Sequence, residues 1–127
     1  MILPRFGLVR QLSPNPAEPN VESLLADELT RTHQFAEVRP GERVLLTAGS
    51  RGINAKPKVL AGLVKALNAV GAEPFIYPAM GSHGGGTAAG QVGVLADLGI
   101  TADSIGAPIY TGWDSVRIGT TEAGAPV

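Results

Sequence analysis

The sequence contains no cysteine, which excludes disulfides, thiolate nucleophiles and cysteine-held metals, and nothing in it marks an oxidising compartment. No uninterrupted apolar run reaches the roughly 18 residues that a membrane span requires, and no basic segment leads into an apolar one as in a secretory signal. Charge of either sign is sparse. Ten lysines and arginines against eleven acids leave a net charge of −1, with no long basic run. Nucleic-acid or membrane-surface binding driven by bulk electrostatics is therefore not expected, and any anion site must be built from local groups. The expectation is a soluble, cytoplasmic protein.

What the chain has in excess is 17 glycines and 10 prolines among 127 residues. They fall between apolar segments and punctuate the chain without forming a low-complexity tract. With 44% hydrophobic residues, the length suits one domain with a real core.

Phe6 to Leu12 has the character of a short strand, and the proline-rich segment Ser13 to Pro19 that follows can only be a loop. Asn20 stands as N-cap to a helix with Val21, Leu24, Leu25 and Leu29 on one face, ending near His33. Arg43 to Ala48 is a compact run of strand length. It passes directly into Gly49-Ser50-Arg51-Gly52-Ile53-Asn54, and then Pro57 opens a helix on which Val59, Leu60, Leu63, Val64, Leu67 and Val70 share a face before Gly71. The pattern repeats. Pro74 to Pro78 is a second strand, Ala79-Met80-Gly81-Ser82-His83-Gly84-Gly85-Gly86-Thr87 a second glycine loop, and Gln91 to Leu98 a second helix stopped by Gly99. Two tandem β-loop-α units predict an α/β fold, a Rossmann-like parallel sheet flanked by helices, with both glycine loops at the carboxyl ends of the strands where such sheets bind ligands. Further along, Thr101 to Ser104 reads as a capped turn, and Ile109-Tyr110 and Ser115 to Gly119 as short strands. The last of these has no partner strand before Val127, so the chain reads as the amino-terminal part of a longer, two-domain protein.

The first loop has the makings of a carboxylate or phosphate site. Glycines permit close backbone approach, Ser50 offers a hydroxyl, Arg51 can hold an oxyanion bidentately, and Lys56 and Lys58 add positive potential. The alternative is a tight turn with a solvated arginine, since neither phosphate-loop spacing is present. In the second loop His83, one of two histidines, follows a strand and is flanked by glycines. An imidazole with an ordinary pKa near ~6.5 suits general acid or base work. Its alternative role is to cap the next helix or bond a loop carbonyl. Ser82 is its neighbour in what reads as extended backbone, so the two side chains diverge. Met80 stands where a nucleophile elbow would need glycine, which excludes that hydrolase chemistry. No metal site is expected from this chain, because the histidines are far apart and Asp97, Asp103 and Asp114 lack ligand spacing. His33 reads as structural or solvated, and the lone Trp113 as core or interface.

Gly49-Ser50-Arg51-Gly52-Ile53 and Pro78-Ala79-Met80-Gly81-Ser82-His83-Gly84-Gly85, followed by Gln91 and by Gly106-Ala107-Pro108-Ile109, resemble the amino-terminal domain of the nickel-dependent lactate racemase family. The resemblance spans about Arg43 to Ile109. It implies a nickel-pincer nucleotide held between this domain and a carboxy-terminal one, which takes a hydride from the α-carbon of a 2-hydroxy acid and returns it to either face. By the same carry-over His83 is one of two acid/base histidines. Arg51 and Ser50 hold an anionic group of cofactor or substrate, and Gly81, Ser82, Gly84 and Gly85 complete the loop around it. The attachment lysine, the nickel ligand and the second histidine would lie on residues this chain does not contain. Ala48, Gly52 and Gly84 depart from the family pattern, which has an acid, a proline and an arginine there. The reading from a different class is a non-catalytic nucleotide- or phosphate-binding module that uses Ser50, Arg51 and the backbone from Gly81 to Gly86.

Overall fold

Arg43–Ala48, apolar after its first residue except for Thr47, forms strand β1, and Glu73–Pro78 forms β2. In the computed structural model, which describes Gly7, Val9, Arg10, residues 20–112, Asp114 and residues 116–127, the two strands pair in parallel. Their register runs from Arg43 opposite Glu73 to Ala48 opposite Pro78. The connection between them is α2 (Lys56–Ala69), as a parallel crossover requires, and it is preceded in the chain by α1 (Val21–Arg31). After β2 come a short 3-10 turn at His83–Gly86, α3 (Ala88–Asp97) and the four-residue α4 (Ala102–Ile105). The expected strand at Phe6 to Leu12 and loop at Ser13 to Pro19 lie outside the described residues, as does Trp113.

Side chains alternate across a strand, and burial follows that alternation. Leu46 and Ala48 of β1 and Ile76 of β2 turn toward one face, where Leu60 and Val64 of α2, Leu95 of α3, Ile105 of α4, and Met80, Ile100 and Ala107 close the core. On the opposite face Phe75 and Tyr110 meet edge to face at 5.4 Å, with the Arg43 guanidinium 4.9 Å above the Phe75 ring. Leu45 and Tyr110 are each 48% exposed there. The architecture is therefore mixed α/β, with the helices gathered on one face of a two-stranded parallel sheet among the described residues.

Ile109 and Tyr110 join the free edge of β2 by only one bridge. The Ile76 amide donates to the Pro108 carbonyl at 2.8 Å and the Tyr110 amide to the Ile76 carbonyl at 2.9 Å. The strand expected at Ser115 to Gly119 is not formed over its described residues. The chain folds back there instead, with Thr120 bridged antiparallel to Pro126 and the Ile118 amide donating to the Val127 carbonyl at 2.8 Å. Apolar composition suggested a strand, but Val116 and Ile118 are over four-fifths exposed, at 82% and 83%.

Helix ends follow one chemical rule. After α2 the amides of Gly71 and Ala72 donate to the carbonyls of Asn68 and Leu67, each at 3.0 Å. After α3 those of Gly99 and Ile100 donate to Ala96 and Leu95, at 2.8 and 2.9 Å. Both glycines are left-handed, as this closure demands. Helix α1 closes the same way, except that His33 occupies the left-handed position with φ 50°. In its last turn Arg31 Nε donates to Glu28 Oε2 at 2.9 Å, and this guanidinium holds the Glu28 carboxyl below its ordinary range. The capped turn expected at Thr101 is present, with Thr101 and Ser104 exchanging side-chain to backbone bonds.

Candidate functional site

Because Ala48 is paired with Pro78, the two glycine loops leave the sheet side by side at its carboxyl end. The Ala79 amide donates to the Ala48 carbonyl at 2.8 Å and joins the two departures. In the first loop, the Lys56 ammonium folds back and donates to the Gly49 carbonyl at 2.9 Å and to the Arg51 carbonyl. Ala55, just before it, is left-handed at φ 60°, a conformation that costs a residue with a side chain roughly 1–2 kcal/mol. Lysine and strained backbone together set the path of the loop.

That path opens a hollow of about 420 Å³, walled by Thr47, Gly49, Ser50, Arg51, Ile53 and Lys56 from the first unit and by Ala79 from the second. Neither the Ser50 hydroxyl nor the Arg51 guanidinium has a hydrogen-bond or ion-pair partner among the described residues, and Arg51 is exposed. Lys58 does not contribute to this hollow. Its ammonium lies 3.5 Å from Glu22 of α1, so of the two lysines expected to add positive potential only Lys56 stands at the site. A larger hollow, about 850 Å³, lies between α1 and α2 and is lined by Leu25, Leu29, Phe35 and Ala61 among others. It touches neither glycine loop, and chemistry favours the smaller one.

In the second loop Gly81, Gly84, Gly85 and Gly86 all have positive φ, from 55° to 70°. Ser82 and His83 are exposed and lie in a turn, with the His83 amide donating to the Met80 carbonyl at 3.2 Å. The expectation of extended backbone at Ser82 is thus corrected, since four left-handed glycines coil the segment. The close approach that the glycines permit is to α3. A Cβ on Gly84 would stand 2.3 Å from the Gly90 carbonyl carbon. Thr87 caps α3 by accepting from the Gly90 amide at 3.0 Å and donates to the Gly84 carbonyl at 3.2 Å. The buried Gln91 donates from Nε2 to the Gly81 carbonyl at 2.8 Å.

Ser50 and Arg51 therefore share a hollow, while Gly81, Ser82, His83, Gly84 and Gly85 form the adjoining loop and do not line it. Two contributors were not singled out by sequence reasoning in the roles they hold. Lys56 was read as a source of potential and is instead the clasp of its loop. Gln91 carried a readable signal, an amide on the apolar face shared by Leu95 and Leu98. No cluster of three or more histidine, cysteine or acidic side chains able to hold a metal occurs among the described residues. No helix among them is long and apolar enough to cross a membrane. No family model, curated protein or solved structure matches this chain.

Proposed function

We propose that this chain is the amino-terminal, Rossmann-like unit of a lactate racemase-like enzyme that racemises or epimerises a 2-hydroxy acid, completed by a carboxy-terminal domain. The observation that carries the proposal is the adjacency of an arginine-serine hollow and an exposed histidine loop at one end of a parallel sheet. The implied nickel-pincer nucleotide fits this chain in part. Its anionic portion, or the substrate carboxylate, matches the donor set of Ser50 and Arg51, whereas the metal finds no ligand cluster among the described residues. When bound, that group would supply the acceptor for the α-hydrogen as hydride.

In this reading Arg51 pairs with the oxyanion and Ser50 donates a hydrogen bond to it, which fixes the ligand against the apolar wall of Ile53 and Ala79. His83 accepts the hydroxyl proton as the carbonyl forms and returns it as the carbonyl is reduced. Loss of Arg51 should weaken binding of both lactate and mononucleotides, whereas loss of His83 should leave binding intact. Calorimetry of Arg51→Met and His83→Ala tests this, and equal binding by wild type and Arg51→Met counts against the site. Without a second polypeptide the 127-residue chain should racemise nothing. A second reading, a phosphate-binding module without catalysis, is favoured by one observation: the hollow includes Arg51 but not His83. Mononucleotide binding with no hydroxy-acid exchange in the completed protein would favour it.

A further inference from the structure

Gln91 is the only buried polar residue in the described core, 5% exposed, on a helix whose other inward residues are apolar. Burying a primary amide carries a desolvation penalty unless its donors and acceptor are met, so the position calls for a reason. The reason on the structure is Gly81. The Gln91 Nε2 donates to that carbonyl at 2.8 Å, two residues before His83, across a separation of ten positions in the chain. Next to Gln91 on α3, Gly90 receives the Gly84 backbone at a distance no side chain would allow. The loop is thus fixed on both sides of His83, by an amide before it and by a backbone contact after it.

We infer that Gln91 is a positioning residue, whose amide fixes the Gly81 carbonyl and so aims the His83 imidazole from the sheet end. This rests on the reading of His83 as the acid/base group. Left-handed glycines have wide conformational freedom, and a loop with four of them would otherwise present the imidazole in many orientations. One donor from a helix rooted in the core removes that freedom at its origin.

The test uses Gln91→Met, which keeps the length and removes the donor, and Gln91→Glu, which can donate to a carbonyl only when protonated. Burial raises a carboxyl pKa, so the glutamate is expected to change state within an accessible range of pH. Amide hydrogen exchange at Gly81 to Gly86 and the imidazole resonances are read by NMR, with His33 as internal control. Gln91→Met should speed exchange in the loop at least tenfold and shift the His83 signals, leaving His33 and the β1 and β2 amides unchanged. Gln91→Glu should behave like Gln91→Met when ionised and return toward wild type on protonation. In an assembled racemase, Gln91→Met should lower kcat about tenfold or more with KM within about threefold. An unaltered loop in Gln91→Met overturns the inference, and so does loosening spread evenly through the sheet, which would make Gln91 a general core residue. If the loop loosens as expected but His83→Ala keeps full turnover, the clasp stands and the catalytic reading of His83 is the part that fails.

Discussion

The carbonyl oxygen of Gly84 lies 1.7 Å from where a Cβ on Gly90 would stand. The histidine loop and the first turn of α3 are thereby in backbone contact, and each glycine is required by the other. Gly84→Ala must bear both a left-handed φ of 66° and a clash with the Gly90 backbone, for an expected loss of about 2 kcal/mol or more. Gly93, farther along α3, has open space where its Cβ would be. Gly93→Ala should stabilise by about 0.5–1 kcal/mol through helix propensity. Urea unfolding of the two variants reads both signs.

Lys56 joins two carbonyls of the anion-site loop, so removing it acts on shape as well as on charge. Lys56→Met should weaken binding of a small carboxylate or phosphate by about tenfold, or roughly 1.4 kcal/mol. Lys58→Met, which loses only an exposed contact with Glu22, should change binding less than twofold. Calorimetry at fixed ionic strength makes the comparison.

His33 occupies the position at the end of α1 that glycine takes at the ends of α2 and α3. His33→Gly should relieve left-handed strain and stabilise by up to about 1 kcal/mol. A rise in Tm checks it.

The two faces of the sheet should respond differently to truncation. Ile76 is fully buried, and Ile76→Ala is expected to cost about 2–5 kcal/mol. Leu45→Ala, on the opposite face and 48% exposed, should cost less than about 1.5 kcal/mol by area removed from water. Denaturant midpoints for both variants decide it.

Much of this fold is legible in the residues. Arg43 to Ala48 forms a strand with the bounds its composition predicts, the apolar face of α2 buries Leu60, Val64 and Leu67, and Gly71 and Gly99 stop their helices. These are local signals of periodicity and backbone freedom. The apolar segment around Ile118 misled because periodicity describes what a segment suits, whereas its pairing depends on which sheet edge lies within reach. The bonds from Lys56 to Gly49 and from Gln91 to Gly81 depend on the path of a coiled loop, which residue types alone do not specify. For the site, the pairing of two glycine loops follows from the tandem units. The division between an arginine hollow and a separate histidine loop does not.

Racemisation of a 2-hydroxy acid by this chain assembled with a carboxy-terminal domain and the nickel-pincer nucleotide tests the central claim most directly, with wild type and His83→Ala compared in the same assay. The account predicts turnover by the wild type, a loss of at least about 100-fold in His83→Ala, and nucleotide still bound in both. A wild type that binds the nucleotide without exchanging the acid, or a His83→Ala variant with undiminished turnover, would contradict it.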